Sequence, residues 1–154
     1  MSRPVALFAP ELDKANLQEL LRYLGLEKTA AAYSELLAQA QKNNWSHEQF
    51  LEAVVNQEAA IKRERSIAHR LAQARFPVIK TIDAFKFDFP TSIPKGKVLA
   101  ALTLDFVTRK EGFIFMGPPG TGKTHLSLAI GHAACLRSVR TLYTTAVDMI
   151  NVLS

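Results

Sequence analysis

The sequence predicts an α/β protein: a helical N-terminal domain followed by a strand–loop–helix unit. Three observations carry this. Leucines recur at helical spacing through the first third of the chain. The run Phe113-Ile114-Phe115-Met116 is short, apolar and β-prone, with Gly and Pro directly after it, which predicts a buried strand. Residues Gly117 to Thr124 read G-P-P-G-T-G-K-T, which fits the phosphate-loop pattern G-x-x-x-x-G-K-[ST].

The elements follow in order. Leu17, Leu20, Leu21 and Leu24 form one helical face that stops at Gly25. Tyr33, Leu36, Leu37 and Ala40 repeat the pattern until Asn43-Asn44 breaks it. Ser46 and Gln49 make a capping box ahead of Phe50, Leu51, Val54 and Val55. That third helix is expected to run to about Arg75, since no Gly or Pro interrupts it between Ser46 and Pro77. Pro77, Pro90 and Pro94 bar a helix across residues 76–96. Phe85, Phe87 and Phe89 alternate there with Lys86 and Asp88, as in an extended linker that docks its rings. Lys97 to Lys110 returns to helix, with Val98, Leu102 and Phe106 on one face. Beyond the loop, Lys123 to Leu136 reads as helix, Arg140 to Thr145 as a second strand and Ala146 to Leu153 as a further helix. The expected domains are 1–75 (helical), 76–96 (linker) and 97–154 (incomplete core).

Composition narrows the class. The 154 residues are 48% hydrophobic and 21% charged, values of a globular chain rather than a disordered one. A single cysteine, Cys135, excludes an internal disulfide and reads as a buried thiol. No apolar run approaches membrane-spanning length, and Met1 to Pro10 is too short for a secretory signal, so a soluble cytoplasmic protein is expected. The net charge is +5, and the six cations and one acid between Lys62 and Lys80 account for all of it.

The loop needs its residue types for physical reasons. Backbone N–H groups must approach phosphate oxygens, and Gly117, Gly120 and Gly122 remove the Cβ atoms in the way. The following helix directs its N-terminal amides and positive dipole end at the phosphates. Lys123 places an ammonium on the β/γ oxygens, and Thr124 offers a hydroxyl to Mg²⁺. Gly117, Pro118, Pro119, Gly120, Thr121, Gly122, Lys123 and Thr124 are therefore the candidate nucleotide-binding residues, with ATP and Mg²⁺ as ligands. After Glu111 the only acid is Asp148, at a helix start rather than a strand end, and no arginine follows Arg140. A Walker B acid and a downstream arginine finger are thus missing, no catalytic residue is assigned, and ATP binding without appreciable hydrolysis is expected.

Lys62, Arg63, Arg65, Arg70, Arg75 and Lys80 are candidates for contact with the phosphate backbone of duplex DNA; the other reading is a solvated helix face. Their spread over the helix suits sequence-tolerant contact. His47, His69, His125 and His132 lack metal-ligand spacing, and His125 reads as a packing or capping residue. Trp45 reads as an apolar anchor at a helix start.

From about Leu12 onward the chain resembles the IstB-type transposition helper ATPases of bacterial insertion sequences, relatives of the DnaC-like helicase loaders in the AAA+ superfamily. The carrying residues are A-R-F-P at Ala74 to Pro77, K-T-I-D-A-F-K-F-D-F at Lys80 to Phe89, G-P-P-G-T-G-K-T-H-L at Gly117 to Leu126 and L-Y-T-T-A at Leu142 to Ala146. The resemblance implies an AAA+ core that binds ATP and duplex DNA, forms homo-oligomers and acts with a separate transposase. It places residues 85–89 in the region that borders the adenine. The family's core continues beyond this length, with Walker B, a sensor residue and an arginine finger, so the N-terminal portion of such a protein, with a truncated core, is expected. The family's first two strands are also not neighbours in its sheet. Two other classes compete: a non-catalytic DNA-binding or interaction module with a remnant phosphate loop, and a small-molecule kinase. The 112 residues ahead of Phe113 disfavour the kinase.

Overall fold

The structure, a computed structural model, describes residues 16–87 and 93–153, with the side chain of Leu153 omitted. The readings made at Met1 to Pro10, Asp88, Phe89 and Pro90 lie outside these residues. Seven helices form among the described residues: α1 (Leu17–Tyr23), α2 (Glu27–Lys42), α3 (His47–Gln73), α4 (Lys95–Leu102), α5 (Asp105–Thr108), α6 (Lys123–Leu136) and α7 (Ala146–Leu153). Contacts divide the chain into two compact units between Glu64 and Arg65, inside α3. The last turns of α3 belong with the second unit because Arg70 and Ala74 are bonded to residues there.

In the first unit, caps decide the helix ends. Asn16 and Glu19 form a reciprocal capping box at α1, and Ser46 and Gln49 form the expected one at α3. α2 starts at Leu26 with no side-chain cap of its own. Glu58 of α3 supplies one instead, its carboxylate accepting from the Thr29 amide at 2.8 Å. Asn44, at φ +51°, closes α2 in the left-handed conformation that asparagine tolerates. Thr29 and Ala30 are buried, while Leu24 and Leu51 remain more than half exposed.

The second unit is centred on α6. Ala101, Leu104, Ile130 and Ala134 form its core, with Leu102, Phe106, Phe115 and Val139 packed against them. The helix expected over Lys97–Lys110 is broken in two at Leu104, which adopts φ +66°. Burial drives the break: the turn carries Leu104 into the core, where it is 6% exposed. The carbonyl freed at Thr103 accepts from Arg137 Nη1 at 2.8 Å, and Thr103 Oγ1 donates to Ala100 O at 2.8 Å.

The expected strands do not form. Among the described residues no β-ladder is present: 113–116 and 140–145 run between helices without strand pairing, and the α/β expectation is not confirmed there. Residues 113–116 keep the alternation of a strand. Phe113 meets Phe106 edge-on at 4.7 Å and Phe115 packs on the core, while Ile114 and Met116 are 87% and 89% exposed. The segment expected to be a buried strand is thus exposed on one face. A strand is completed by a partner's N–H and C=O groups, and within 140–145 Tyr143 instead donates to Ala74 O, just past α3, at 2.8 Å.

A candidate phosphate-binding loop

Residues 117–122 form an irregular turn that delivers the chain into α6. Gly120 (φ +80°) and Gly122 (φ +82°) both sit in the left-handed region, which side chains with a Cβ enter at a cost. Gly122 is also the N-cap of α6, and a Cβ there would lie 2.5 Å from Phe85 Cε2. Its missing side chain is therefore required twice, by the turn and by the ring packed against it.

α6 has no side-chain cap and no acid in its first turn. Its first amides, from Lys123 to His125, have no intrahelical acceptor by helix geometry, and the dipole adds to their positive field. The Lys123 ammonium donates to Pro118 O at 2.6 Å and to Thr121 Oγ1 at 3.4 Å, which holds it against the loop backbone. Thr121 Oγ1 donates to the same Pro118 carbonyl at 3.0 Å. Thr124 is exposed at the first turn, as are Gly117, Pro118, Pro119 and Gly120, while Thr121, Gly122 and Lys123 are half-buried. The eight predicted loop residues thus run without interruption through the turn and into the first turn of α6. An apolar groove of about 460 Å³ adjoins it, lined by Val98, Ala101, Phe113 and Phe115 together with Thr121 and Lys123 of the loop.

The linker docks its rings on the loop. Phe85 lies on Gly122, meets the His125 ring edge-on at 5.2 Å and meets Phe87 at 4.9 Å. Lys95 Nζ sits 5.4 Å from the centre of the Phe87 ring. His125 Nε2 donates to Thr81 O at 2.9 Å, so this side chain ties the linker to the start of α6. Sequence reasoning gave His125 only a generic packing role. Its position directly after Thr124, together with a phenylalanine-rich linker, was the available signal.

Thr145 caps α7: its Oγ1 accepts from the Asp148 amide at 3.1 Å and donates to the Asp148 carboxylate at 2.6 Å. The T-x-x-D spacing was legible but unread. Among the described residues no cluster of His, Cys, Asp or Glu has a cation-binding arrangement. Cys135 is buried, as expected.

The basic residues divide by environment. Lys62, Arg63, Arg65 and Arg75 are exposed, and Lys80 is half-buried. Arg70 is half-buried and engaged: Nε donates to Cys135 O at 2.9 Å and Nη1 to Ser66 Oγ at 2.6 Å. Arg70 and Arg75 line one cleft, whereas Lys62 and Arg63 fall in the other compact unit.

A glycine-rich turn, an uncapped helix start and a lysine held over the turn define the phosphate-loop class of proteins. Within that class, residues 19–154 match the family model described as IstB-like ATP binding protein, and the chain belongs to this family. A Geobacillus stearothermophilus protein named for ATP binding in insertion sequence IS5376 is 36% identical over 91% of this chain and 56% of its own length. A Pseudomonas aeruginosa protein named for ATP binding in insertion sequence IS21 is 38% identical over 82% of this chain and 48% of its own. A similarly named insertion-sequence protein of Sinorhizobium fredii is 32% identical over 92% of this chain and 48% of its own. The chain therefore spans about half the length of these relatives. No described helix is long and apolar enough to cross a membrane.

Proposed function

We propose that this chain is the ATP-binding portion of a helper protein for insertion-sequence transposition. The observation that carries the reading is the loop itself: two left-handed glycines, Lys123 held against the turn, and an uncapped helix start free of acids. Gly117 to Thr124 would hold the triphosphate. Lys123 would neutralise the β/γ oxygens, and the first-turn amides would bind the remainder. Mg²⁺ would sit at Thr124, an exposed residue in the first turn of α6; no cluster of acidic side chains among the described residues is arranged for a cation, so the phosphates would be its other ligands. The ion would supply charge neutralisation between the phosphates. Duplex DNA would run along the cations of α3 and its exit, namely Lys62, Arg63, Arg65, Arg70, Arg75 and Lys80. A transposase and further copies of the chain are the partners that the family resemblance implies, within an AAA+ core.

A fluorescent ATP titration of the wild type and Lys123→Ala tests the nucleotide reading. Saturable binding that the variant loses is the expected result, and equal affinity for both overturns it. Phosphate release by this chain alone is expected to stay far below ~1 s⁻¹, since the one acid after the loop, Asp148, is bonded to Thr145, and no arginine follows Arg140 to stabilise the transition state.

A further inference from the structure

Arg70, Arg75 and Arg140 converge on an open cleft of about 560 Å³, whose other lining residues are Gln73, Thr141 and Leu142. Among its described lining residues there is neither an acid nor an aromatic ring. Tertiary contacts build it. Tyr143 is bonded to Ala74 O at 2.8 Å, and Arg70 is pinned to Cys135 O and Ser66 Oγ. Gly131 admits the Phe76 ring, so that a Cβ there would lie 3.0 Å from the ring and 3.4 Å from Thr141 Cγ2. The end of α3 and the segment after α6 are thus fastened together, and Arg140 is carried from outside the basic run to face Arg70 and Arg75.

The bonds that place Arg70 go to neutral acceptors and leave its charge unbalanced. Arg109–Glu111 is the one ion pair among the described residues, so no described carboxylate neutralises any of the three arginines. Like charges held in one cleft repel, and half-burial of Arg70 adds a desolvation cost; a bound anion relieves both. Guanidinium forks match phosphate oxygens, and the Thr141 hydroxyl and Gln73 amide are the neutral donors that commonly accompany them. With no ring to stack a base, the cleft is suited to backbone rather than to nucleobase.

We infer that this cleft holds a backbone phosphate of duplex DNA, with Arg140 as a DNA contact beside Arg70 and Arg75. The inference rests on the DNA-binding reading above and narrows it from a diffuse basic surface to a built site.

Arg75 and Arg140 separate binding from folding. Arg75 is exposed and adopts φ +55°, where glycine is favoured, so Arg75→Gly keeps the turn and removes only the cation. Anisotropy of a fluorescein-labelled duplex with the full chain, from 50 to 200 mM salt, gives affinity and salt slope. Arg75→Gly and Arg140→Gln should each weaken binding about tenfold at 50 mM and flatten the log–log slope by about one. The melting temperature of Arg75→Gly should equal or exceed that of the wild type, and fluorescent ATP binding should be unchanged in both variants. A double variant with wild-type duplex affinity and slope overturns the cleft. So does wild-type protein that shows no saturable duplex binding at 50 mM. If affinity falls only in Lys62→Ala and Arg63→Ala, the cleft is refuted while the basic-helix reading stands. Loss of ATP binding in the wild type refutes the nucleotide reading, independently of the DNA arms.

Discussion

The glycine-rich loop and the basic end of α3 both present positive charge, but they assemble it differently. In the loop the backbone amides of a helix start supply directed donors and a partial charge of about +0.5, and one lysine adds a full charge. In the cleft the field is carried by three guanidinium groups, set in place by long-range bonds such as Arg70 to Cys135 O. Backbone donors are placed by local conformation, so a glycine pattern specifies them. Side-chain donors from separated segments are placed by packing, so no local pattern does.

The largest expected effect breaks the loop. Lys123→Ala removes a charge-assisted contact of about 1.5–3 kcal/mol, so nucleotide affinity should fall about 10- to 100-fold in a fluorescent ATP titration, with duplex binding intact. Gly122→Ala comes next. It forces a Cβ into the left-handed region and against Phe85, a strain of about 1–3 kcal/mol visible as a lower melting temperature. Phe85→Ala in the same chain should recover part of that loss, and strict additivity of the two changes would show that the ring does not press on the loop. Arg70→Ala should then cost about 1–2 kcal/mol of stability, through its bonds to Cys135 O and Ser66 Oγ. Exposed Arg63→Ala should leave the thermal melt unmoved while weakening duplex binding and flattening its salt slope by about one. The smallest effect is expected at Ile114→Thr: with the side chain 87% exposed, the melt should shift by no more than about 0.5 kcal/mol in stability.

Much of the helical layout was legible, because it rests on short-range rules. The Ser46–Gln49 box, the stop after Lys42 and the span of α6 all follow from caps, breakers and periodicity. The turn of the loop was equally readable, since Gly120 and Gly122 adopt the left-handed angles that their residue type permits. The docking of a phenylalanine linker was readable as a tendency, though its target on Gly122 and His125 was not.

Where periodicity misled, a long-range partner decided the outcome. Lys97–Lys110 has helical spacing throughout, yet Leu104 gains more from entering the core beside Ile130 and Ala134 than from continuing the helix. Residues 113–116 carry a strand's alternation without a strand's bonds, because the ladder depends on another segment's backbone and Tyr143 of 140–145 is bonded to Ala74, just past α3. α2 takes its cap from Glu58, far along the chain. The convergence of Arg140 with Arg70 and Arg75 is likewise invisible to spacing. Caps, glycine turns and helical faces depend on residues within a few positions of one another, so residue order settles them. Ladder pairing, burial of a single leucine and the meeting of three cations depend on which distant segments share a surface, and only the packed chain settles that.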